Sequence, residues 1–333
     1  MKNKPLKISN ITIQPGERIT MALPTPELYT CAPMHIPIHV IHGKKEGPCL
    51  LVCGAIHGDE MNGVAIIQRL LELSMVKKLS GTLIAVPVVN VYGLITKSRN
   101  LPDRRDLEGS FPGSKIGSFA ARLAHVFTEE ILDLATHIID LHTGEPYHSI
   151  FPQIQTNFEV PEAHKMAKAF GTPIIMHSNS TRGLLWLVKE KQIPTLIYEG
   201  GEALAFDELS IRTGVKGIIR VMRDLKMLKL PKKQAGKSPE PVEIDSASWI
   251  YSSRSGLCQR FKKLGQQVKK KDCIAIVSDP FGTAQKDKIL SPVDGIVISQ
   301  NSLPIVNEGD PILQVAETEK TIKSIIYEKE SYE

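Results

Sequence analysis

The chain has 333 residues, and 42% of them are hydrophobic, which fits a globular protein with one large domain and a smaller one. No run of about 18 apolar residues is present, so we expect no segment that spans a membrane. The net charge of +5 is not concentrated in one arm, and the aromatic residues, at 5%, do not interleave with the lysines, so we expect no nucleic-acid partner.

The N-terminal segment and the cysteines indicate the cellular compartment of the protein. The segment MKNKPLKISN is basic but lacks the apolar core of a signal peptide, which predicts a cytoplasmic protein. The five cysteines include no CxxC pair, and Cys49 and Cys53 lie in an apolar run, so we expect reduced cysteines that pack in the core. A zinc site built from cysteines is therefore not expected.

Short apolar runs alternate with longer amphipathic segments from about residue 35 to residue 225. Strands are predicted at 49–55, 81–90, 136–144, 172–178 and 193–201. Helices are predicted at 61–73, 118–132, 163–171, 181–192 and 211–228. This alternation predicts an α/β fold with a mostly parallel or mixed sheet that is flanked by helices. We expect this domain to span residues 1–230, with residues 1–40 as an N-terminal extension that packs on it.

The pattern changes after residue 230. Residues 231–243, PKKQAGKSPEPVE, are rich in Pro, Lys and Gly and predict a linker over 231–244. Short strand-like runs then alternate with Gly-Asp and Pro-Val turns. We therefore predict a small all-β C-terminal domain over 245–333, built as a barrel or sandwich.

Polar side chains follow three of the predicted strands. His57 and Glu60 come after the first strand, His142 ends the third, and Glu199 ends the fifth. In open α/β sheets, ligands bind outside the carboxyl ends of the strands, and parallel strands bring these ends to the same edge. We therefore expect the four side chains to converge on one site.

His57, Glu60 and His142 are candidate ligands of a zinc ion. An H-x-x-E pair brings an imidazole and a carboxylate together within one turn, and a second imidazole completes the pattern of catalytic zinc, which leaves a fourth position for water. An H-x-x-E pair also occurs often by chance, and a histidine at a strand end is commonly only hydrogen-bonded. Asp140 lies on the same strand face as His142, where it could orient the imidazole or cap a neighbouring loop.

Glu199 is the candidate general base. It follows the apolar run PTLIY and precedes two glycines, where a carboxylate is costly unless it has a function. A carboxylate in such a place can take a proton from an attacking water and pass it to a leaving amine. The alternatives are that Glu199 caps a helix or forms a salt bridge, or that Glu202 is the base.

Four segments of the chain form a set of motifs: GAIHGDEMNG, NVYGLITKSRNLPDRRDL followed by FPG, IIDLHTG, and IPTLIYEGG. In order and spacing they resemble the succinylglutamate desuccinylase/aspartoacylase family of the zinc carboxypeptidase superfamily. The tail, with SPVDGIVI and VNEGDPIL, is similar to the family's C-terminal domain, which resembles barrel-sandwich hybrids. The resemblance covers nearly the whole chain.

The resemblance implies a chemistry for the site. It implies one zinc ion per chain, held by His57, Glu60 and His142, with Glu199 as the general base. It also implies that Arg99 polarises the carbonyl of the bond to be cleaved and stabilises the oxyanion. The implied reaction is hydrolysis of an amide bond in a small acylated amino compound.

One motif departs from the family pattern. Family members usually carry DLNRxFPG, in which Asn and Arg hold a substrate carboxylate, whereas this chain has DLEGSFPG, with Glu108 and Gly109 at those positions. Arg104 or Arg105 could supply the missing guanidinium, or Glu108 could meet a cationic amine of the substrate. Because an ionised Glu108 offers only acceptors and repels anions, we predict a substrate whose amine portion is neutral or cationic.

These features predict a cytoplasmic zinc-dependent deacylase whose partner is a small-molecule amide. Two alternatives stay open. The same residues would serve a metallocarboxypeptidase that acts on short peptides, and the Glu108–Gly109 replacement suggests a metal-binding protein with altered catalysis. A homo-oligomer is compatible with the sequence, which favours no particular oligomeric state.

Overall fold

Strands and helices alternate through most of the chain and give way to strands alone near its end. The structure, a computed structural model, describes residues 1–231, 240–282 and 286–318. The helices of these residues are α1 (Met61–Glu72), α2 (Val91–Thr96), α3 (Phe119–Glu130), α4 (Pro161–Phe170), α5 (Trp186–Glu190) and α6 (Glu208–Asp224). The strands up to the last helix are β1 (Leu6–Ile8), β2 (Ile11–Ile13), β3 (Arg18–Pro24), β4 (His35–His42), β5 (Cys49–Gly54), β6 (Thr82–Val86), β7 (His137–Gly144), β8 (His148–Thr156), β9 (Ile174–His177) and β10 (Thr195–Glu202). The later strands are β11 (Val242–Ile244), β12 (Ala247–Tyr251), β13 (Gly256–Arg260), β14 (Gln267–Val268), β15 (Cys273–Ser278), β16 (Lys286–Leu290), β17 (Gly295–Asn301), β18 (Ile305–Val306) and β19 (Pro311–Glu317).

Four parallel strands form the centre of the main sheet, in the order β6-β5-β7-β10. Antiparallel strands flank them, with β4 beside β6 and β8 beside β10. The main sheet is therefore mixed, which confirms the predicted α/β fold with a mixed sheet flanked by helices.

The two faces of the sheet carry separate apolar cores, because successive side chains of a strand point to opposite faces. Leu51 and Cys53 of β5 belong to the core that includes residues of α3 and α5. Leu50 and Val52 belong to the core that includes residues of α1, α4 and α6. Strand β7 is buried along its whole length, as expected of a strand covered on both faces.

The first turn of α1 lies directly against the sheet. A Cβ atom on Gly63 would lie only 3.0 Å from Leu141 Cβ and from the Leu141 carbonyl oxygen of β7, so a side chain at this position would crowd the strand. This close approach holds the segment between β5 and α1 at the carboxyl ends of the central strands.

Several strands outside the predicted set complete the main sheet. Strands β3 and β4 form an antiparallel hairpin that joins the sheet through the pairing of β4 with β6. Strand β8 pairs antiparallel with β10 on one side and parallel with β9 on its other side. Residues 1–40 therefore contribute strands to the sheet.

The described residues after 240 contain strands and no helix. Strands β12, β19 and β17 continue the main sheet, because β17 pairs antiparallel with β8. Strands β16, β15, β13 and β18 form a separate sheet, and an apolar core that includes Cys258, Ile274, Val297 and Leu313 joins the two layers. The described part of the tail is thus all-β, and the division at residue 245 into a separate domain stays a prediction.

Part of the predicted tail lies outside the described residues, namely residues 232–239 of the predicted linker, residues 283–285, and residues 319–333 at the end. At the end of that linker, Val242–Ile244 is strand β11, which pairs parallel with β9. In the part of the chain that the structure describes, no helix is both long and apolar enough to cross a membrane.

Candidate metal centre and active site

The carboxyl ends of β5, β7 and β10 meet at one edge of the main sheet. His142 on β7 pairs in register with Glu199 on β10. His57 and Glu60 follow β5, and one ligand atom from each of His57, Glu60 and His142 lies within 4.8 Å of the others. The structure therefore brings the three candidate metal ligands together in one buried cluster beside Glu199.

Glu60 lies between the two histidines and is only 2% exposed. Its Oε1 lies 2.6 Å from His57 Nδ1, and its Oε2 lies 3.0 Å from His142 Nδ1. The backbone N–H of Thr143 also donates to Oε2 at 3.0 Å. The donor set is two imidazole nitrogens and one carboxylate, which is a set that zinc accepts.

A carboxylate lies beside the outer nitrogen of each imidazole. His142 Nε2 lies 2.8 Å from Asp140 Oδ2, and Cys53 Sγ donates to Asp140 Oδ1 at 3.4 Å. His57 Nε2 lies 3.3 Å from Asp106 Oδ1, a charge contact without the geometry of a hydrogen bond. A carboxylate on the outer nitrogen fixes the imidazole and leaves the inner nitrogen for a metal ion. By this chemistry, the residues present fit a bound divalent metal ion.

The charges of the cluster favour protonated histidines when no metal ion is bound. Burial lowers the pKa of His57, but the charge of Glu60 and hydrogen bonds with neighbouring carboxylates outweigh burial and raise the pKa to about 10. Burial also lowers the pKa of His142, and Asp140 and Glu60 outweigh it and hold the pKa well above its usual range. Burial raises the pKa of Glu60, but the two histidines outweigh it and lower the pKa to about 2.

We expect metal binding to release protons from the protein. Metal-ligating imidazoles must be neutral, so each ion bound near neutral pH should displace about two protons, from His57 and His142. Because the pKa of both histidines is raised, the apparent affinity should increase with pH until the pH approaches the His57 value of about 10. Calorimetric titration of metal-free protein in two buffers of different ionisation enthalpy measures the released protons. An affinity that does not change between about pH 6 and 8, where an unperturbed histidine titrates, would contradict the ligand assignment.

Arg99 reaches the cluster from the segment after α2. Its Nε and Nη2 donate to Asp106 Oδ2 at 3.1 Å and 2.9 Å, and Nη2 also donates to Glu108 Oε2 at 3.3 Å. Its Nη1 lies 3.2 Å from His57 Nδ1 and 3.7 Å from Glu60 Oε1. Asp106 thus holds the guanidinium so that Nη1 is the nitrogen nearest the candidate ligands.

Sequence reasoning did not single out Asp106. The structure places it between His57 and Arg99, where one carboxylate contacts both side chains. Burial raises the pKa of Asp106, but hydrogen bonds and charge from His57 and Arg99 outweigh burial and hold it well below its usual range. The available signal was its position two residues before Glu108 in the DLEGSFPG motif.

Glu199 presents an unpaired carboxylate oxygen beside the cluster. Its side chain is partly exposed, but its Oε2 is buried and has no hydrogen-bond partner among the described residues. Burial raises the pKa of Glu199 to about 8, with Glu60 and Glu108 adding to the effect and His142 opposing it. A carboxylate of this kind is well suited to accept a proton during a reaction.

Glu202, the competing candidate for the base, has structural partners instead. Its Oε1 accepts a hydrogen bond from the Tyr147 N–H at 3.0 Å, and its Oε2 accepts one from Ser149 Oγ at 2.6 Å. These bonds join the end of β10 to Tyr147 in the turn before β8 and to Ser149 at the start of β8. The geometry therefore favours Glu199 over Glu202 as the base.

Arg104 and Arg105, the two arginines that could supply the guanidinium missing at Gly109, lie apart from the cluster. Arg105 is 66% exposed, and its Nε lies 3.9 Å from Asp103 Oδ2. Arg104 is exposed and has a φ of 61°. Among the described residues, neither side chain contacts a candidate ligand, and a substrate role for Arg105 stays a prediction.

Comparison with known families and proteins gives consistent matches. The family model for the succinylglutamate desuccinylase/aspartoacylase catalytic domain matches residues 46–225. The N-alpha-acetyl-L-2,4-diaminobutyric acid deacetylase of Halomonas elongata is 27% identical over 314 residues, which cover 86% of this chain and 87% of that protein.

Solved structures match over almost the whole chain. The succinylglutamate desuccinylase/aspartoacylase of Rhodobacter sphaeroides superposes with a TM-score of 0.80 at 24% identity, over 90% of this chain and 95% of that one. The product-bound ectoine utilization protein EutE of Ruegeria pomeroyi superposes with a TM-score of 0.78 at 25% identity, over 91% of this chain and 95% of that one.

Proposed function

The chain belongs to the succinylglutamate desuccinylase/aspartoacylase family, whose members are amide-cleaving hydrolases, and we propose that it is a zinc-dependent deacylase of a small N-acylated amino compound. The observation that carries this proposal is the buried set of His57, Glu60 and His142 with the unpaired Glu199 carboxylate beside it. We further propose one zinc ion per chain and a cytoplasmic location.

The three candidate ligands would hold the ion, and Asp140 and Asp106 would orient the two imidazoles from their outer side. When bound, zinc supplies a Lewis acid that polarises a carbonyl oxygen and lowers the pKa of water. The protein supplies the rest of the reaction through two side chains, Glu199 and Arg99.

Glu199 moves the proton. Its Oε2 takes a proton from the attacking water as a C–O bond forms at the carbonyl carbon, and the same carboxyl group then donates that proton to the amine nitrogen as the C–N bond breaks. The hydroxyl group that stays on the carbonyl carbon then loses its own proton, which the amine takes up, so the products at neutral pH are a carboxylate and a protonated amine. Burial of the carboxylate favours its neutral form, which makes it both an effective base and an effective acid near neutral pH.

Arg99 stabilises the charge that develops on the carbonyl oxygen. Its guanidinium is already fixed by Asp106, so it loses little freedom when it binds the oxyanion. Nη1 is the nitrogen that points to the ligand cluster, and it makes no hydrogen bond to a carboxylate among the described residues. We assign to Nη1 the hydrogen bond to the oxyanion.

Glu108 and the Halomonas relative support a substrate whose amine portion is positively charged. The Halomonas relative is named for an N-acetylated diamino acid, which keeps a free amino group. Glu108 is about one-quarter exposed, its Oε2 lies 3.5 Å from His57 Nε2, and this contact with His57 lowers the pKa of the carboxyl group. An ionised carboxylate at this place attracts an ammonium group and repels a second carboxylate.

A panel of N-acetyl compounds tests both the reaction and this charge preference. We expect kcat/KM for N-acetyl-L-2,4-diaminobutyrate to exceed that for N-acetyl-L-aspartate by about 10-fold or more, because a hydrogen bond to a charged group contributes roughly 1.5–3 kcal/mol. Glu108→Gln should reduce this ratio, whereas Glu159→Gln, which removes an exposed charge on the surface, should not. Acetate release gives the rates.

The outcomes of this panel separate the alternatives. Release of acetate from no compound, with metal bound, would favour a metal-binding protein with altered catalysis. Cleavage of short peptides in place of N-acetyl compounds would favour a carboxypeptidase. A wild-type preference for N-acetyl-L-aspartate would contradict the charge argument.

A further inference from the structure

Asn62 connects the start of α1 to the segment that follows Glu199. It is the second residue of α1, and its side chain is completely buried. Its Nδ2 donates to the Gly200 carbonyl oxygen at 3.0 Å, and its Oδ1 accepts a hydrogen bond from the Asp207 N–H at 3.1 Å. Because an amide carries both donors and an acceptor, this one side chain fixes both ends of the segment 200–207.

The backbone of β10 is irregular directly after Glu199. From Glu199 to Glu202, β10 advances three residues, whereas its parallel neighbour β7 advances two, from His142 to Gly144. A bulge of this kind bends the strand, can change the direction of a side chain, and is common next to active sites. The direction of the Glu199 side chain therefore depends on how the bulge is held.

Gly201 allows the amide of Asn62 to approach the bulge. Gly201 has a φ of +81°, and a Cβ atom at this position would lie 2.3 Å from Asn62 Nδ2. A side chain here would therefore strain the backbone and displace the amide. At the far end of the segment, Asp207 Oδ1 accepts a hydrogen bond from the Ser210 N–H at 2.6 Å and caps α6. Asn62 thus joins the bulge to the first turns of two helices.

The Glu199 carboxylate has little else to hold it in place. Its Oε2 has no hydrogen-bond partner among the described residues, so none of them steers this oxygen. The Glu199 backbone is in register with His142 on β7, and Asn62 holds the next residue of the chain, Gly200. Asn62 also lies two residues after Glu60. One buried amide therefore connects the segment of the candidate base to the segment of the candidate ligands.

We propose that Asn62 is a positioning residue, which keeps the Glu199 carboxylate beside the candidate metal ligands by holding the bulge at Gly200. This proposal rests on the proposed deacylase function, with Glu199 as its base. Asn62 itself touches neither the substrate nor the metal ion. A misplacement of about 1 Å in a reacting group can lower the rate about 100-fold. The effect of Asn62 should therefore appear in kcat and not in metal binding.

Asn62→Ala removes both hydrogen bonds and tests this role. We expect kcat for the fastest N-acetyl substrate to fall by about 10- to 100-fold, with KM changed less than about threefold and zinc content unchanged. Asn62→Thr is neutral and similar in size, but its one hydroxyl cannot serve both partners, so its loss of kcat should be smaller. This second variant also gives the answer if Asn62→Ala does not fold.

Thr156→Val is the matched control. Thr156 is completely buried, and its Oγ1 donates to the Thr195 carbonyl oxygen at 2.8 Å, at the other end of β10 from Glu199. The control therefore also loses a buried hydrogen bond to the backbone of this strand. Its kcat should stay within about twofold of the wild-type value, because the bulge is unchanged.

A double-mutant cycle with Glu199→Gln separates positioning of the base from a general effect on the fold. If Asn62 acts through Glu199, Asn62→Ala should change the residual kcat of Glu199→Gln by less than about twofold, because the carboxylate that it positions is already absent. An equal loss in both backgrounds, an unchanged kcat in the Asn62 variants, or loss of their zinc would overturn the proposal while the deacylase function stands. If zinc-bound wild-type protein cleaves no N-acetyl compound, the proposed function fails, and the role of Asn62 fails with it.

Discussion

Glu199→Gln is expected to lower kcat by at least about 100-fold while the protein keeps its metal ion. Glutamine has the same size and still forms hydrogen bonds, but it cannot take the proton that the reaction must move. The buried Oε2 has no hydrogen-bond partner in the described structure, so the substitution breaks no contact that holds the fold. The effect should therefore fall on kcat, with little change in thermal stability.

Glu202→Gln is the matched comparison for this experiment. Glu202 accepts hydrogen bonds from Tyr147 and Ser149, and a glutamine oxygen can accept part of this set. We expect this variant to retain most of its turnover, measured by acetate release with metal content determined on the same samples. Near wild-type kcat in Glu199→Gln together with a large loss in Glu202→Gln would transfer the role of base to Glu202.

His57→Ala and His142→Ala are each expected to abolish both metal binding and activity. Each substitution removes one of the three proposed ligands and leaves Glu60 without one of the charges that lower its pKa. The loss of affinity should exceed the roughly 10- to 100-fold that accompanies loss of an outer-shell partner. Asp140→Asn, which keeps the three proposed ligands and changes the shared partner of His142 Nε2 and Cys53 Sγ, should fall within that smaller range.

His35→Ala is the control for the histidine variants. His35 is exposed at the start of β4, and its removal changes the histidine content without touching the cluster. Elemental analysis of the purified variants should find zinc in His35→Ala and wild-type protein and almost none in the two ligand variants. Full zinc occupancy in His57→Ala and in His142→Ala would refute the ligand set.

The central part of the fold and the candidate site could be predicted from sequence because their signals are local. The run CLLVCG is apolar throughout and is followed directly by His57 and Glu60, so the end of a buried strand and the polar residues beyond it are visible together. The rule that parallel strands share an edge then brings His142 and Glu199 to the same place. No long-range contact had to be known for this step.

The missed features depend on contacts between distant segments. Strand β8 contains Pro152 and lacks a regular alternation, so its pairing with β10 and β17 was not visible. Strand β4 does alternate, with Ile36, Ile38 and Val40 buried, and this signal could have been used.

The surroundings of Gly109 were hidden for the same reason. Arg182 lies more than seventy residues from Gly109 in the chain, and its Nη2 lies 3.9 Å from where a Cβ on Gly109 would be. A motif reveals a missing side chain, but it does not reveal which distant residue lies near the vacant position. The sequence therefore points first to Arg104 and Arg105, because they are near Gly109 in the chain.

Titration of zinc into chelated wild-type protein, followed by deacetylation of the fastest N-acetyl substrate, decides most directly whether this is a zinc-dependent deacylase. The rate should rise in proportion to added zinc and reach its plateau at one ion per chain, because the three proposed ligands form one buried set and the second candidate group of the described residues, His57 with Asp106 and Glu108, shares His57 with it. His142→Ala protein should stay inactive over the same titration. Full activity of the chelated protein before zinc is added, or a plateau unrelated to one ion per chain, would contradict the proposed function.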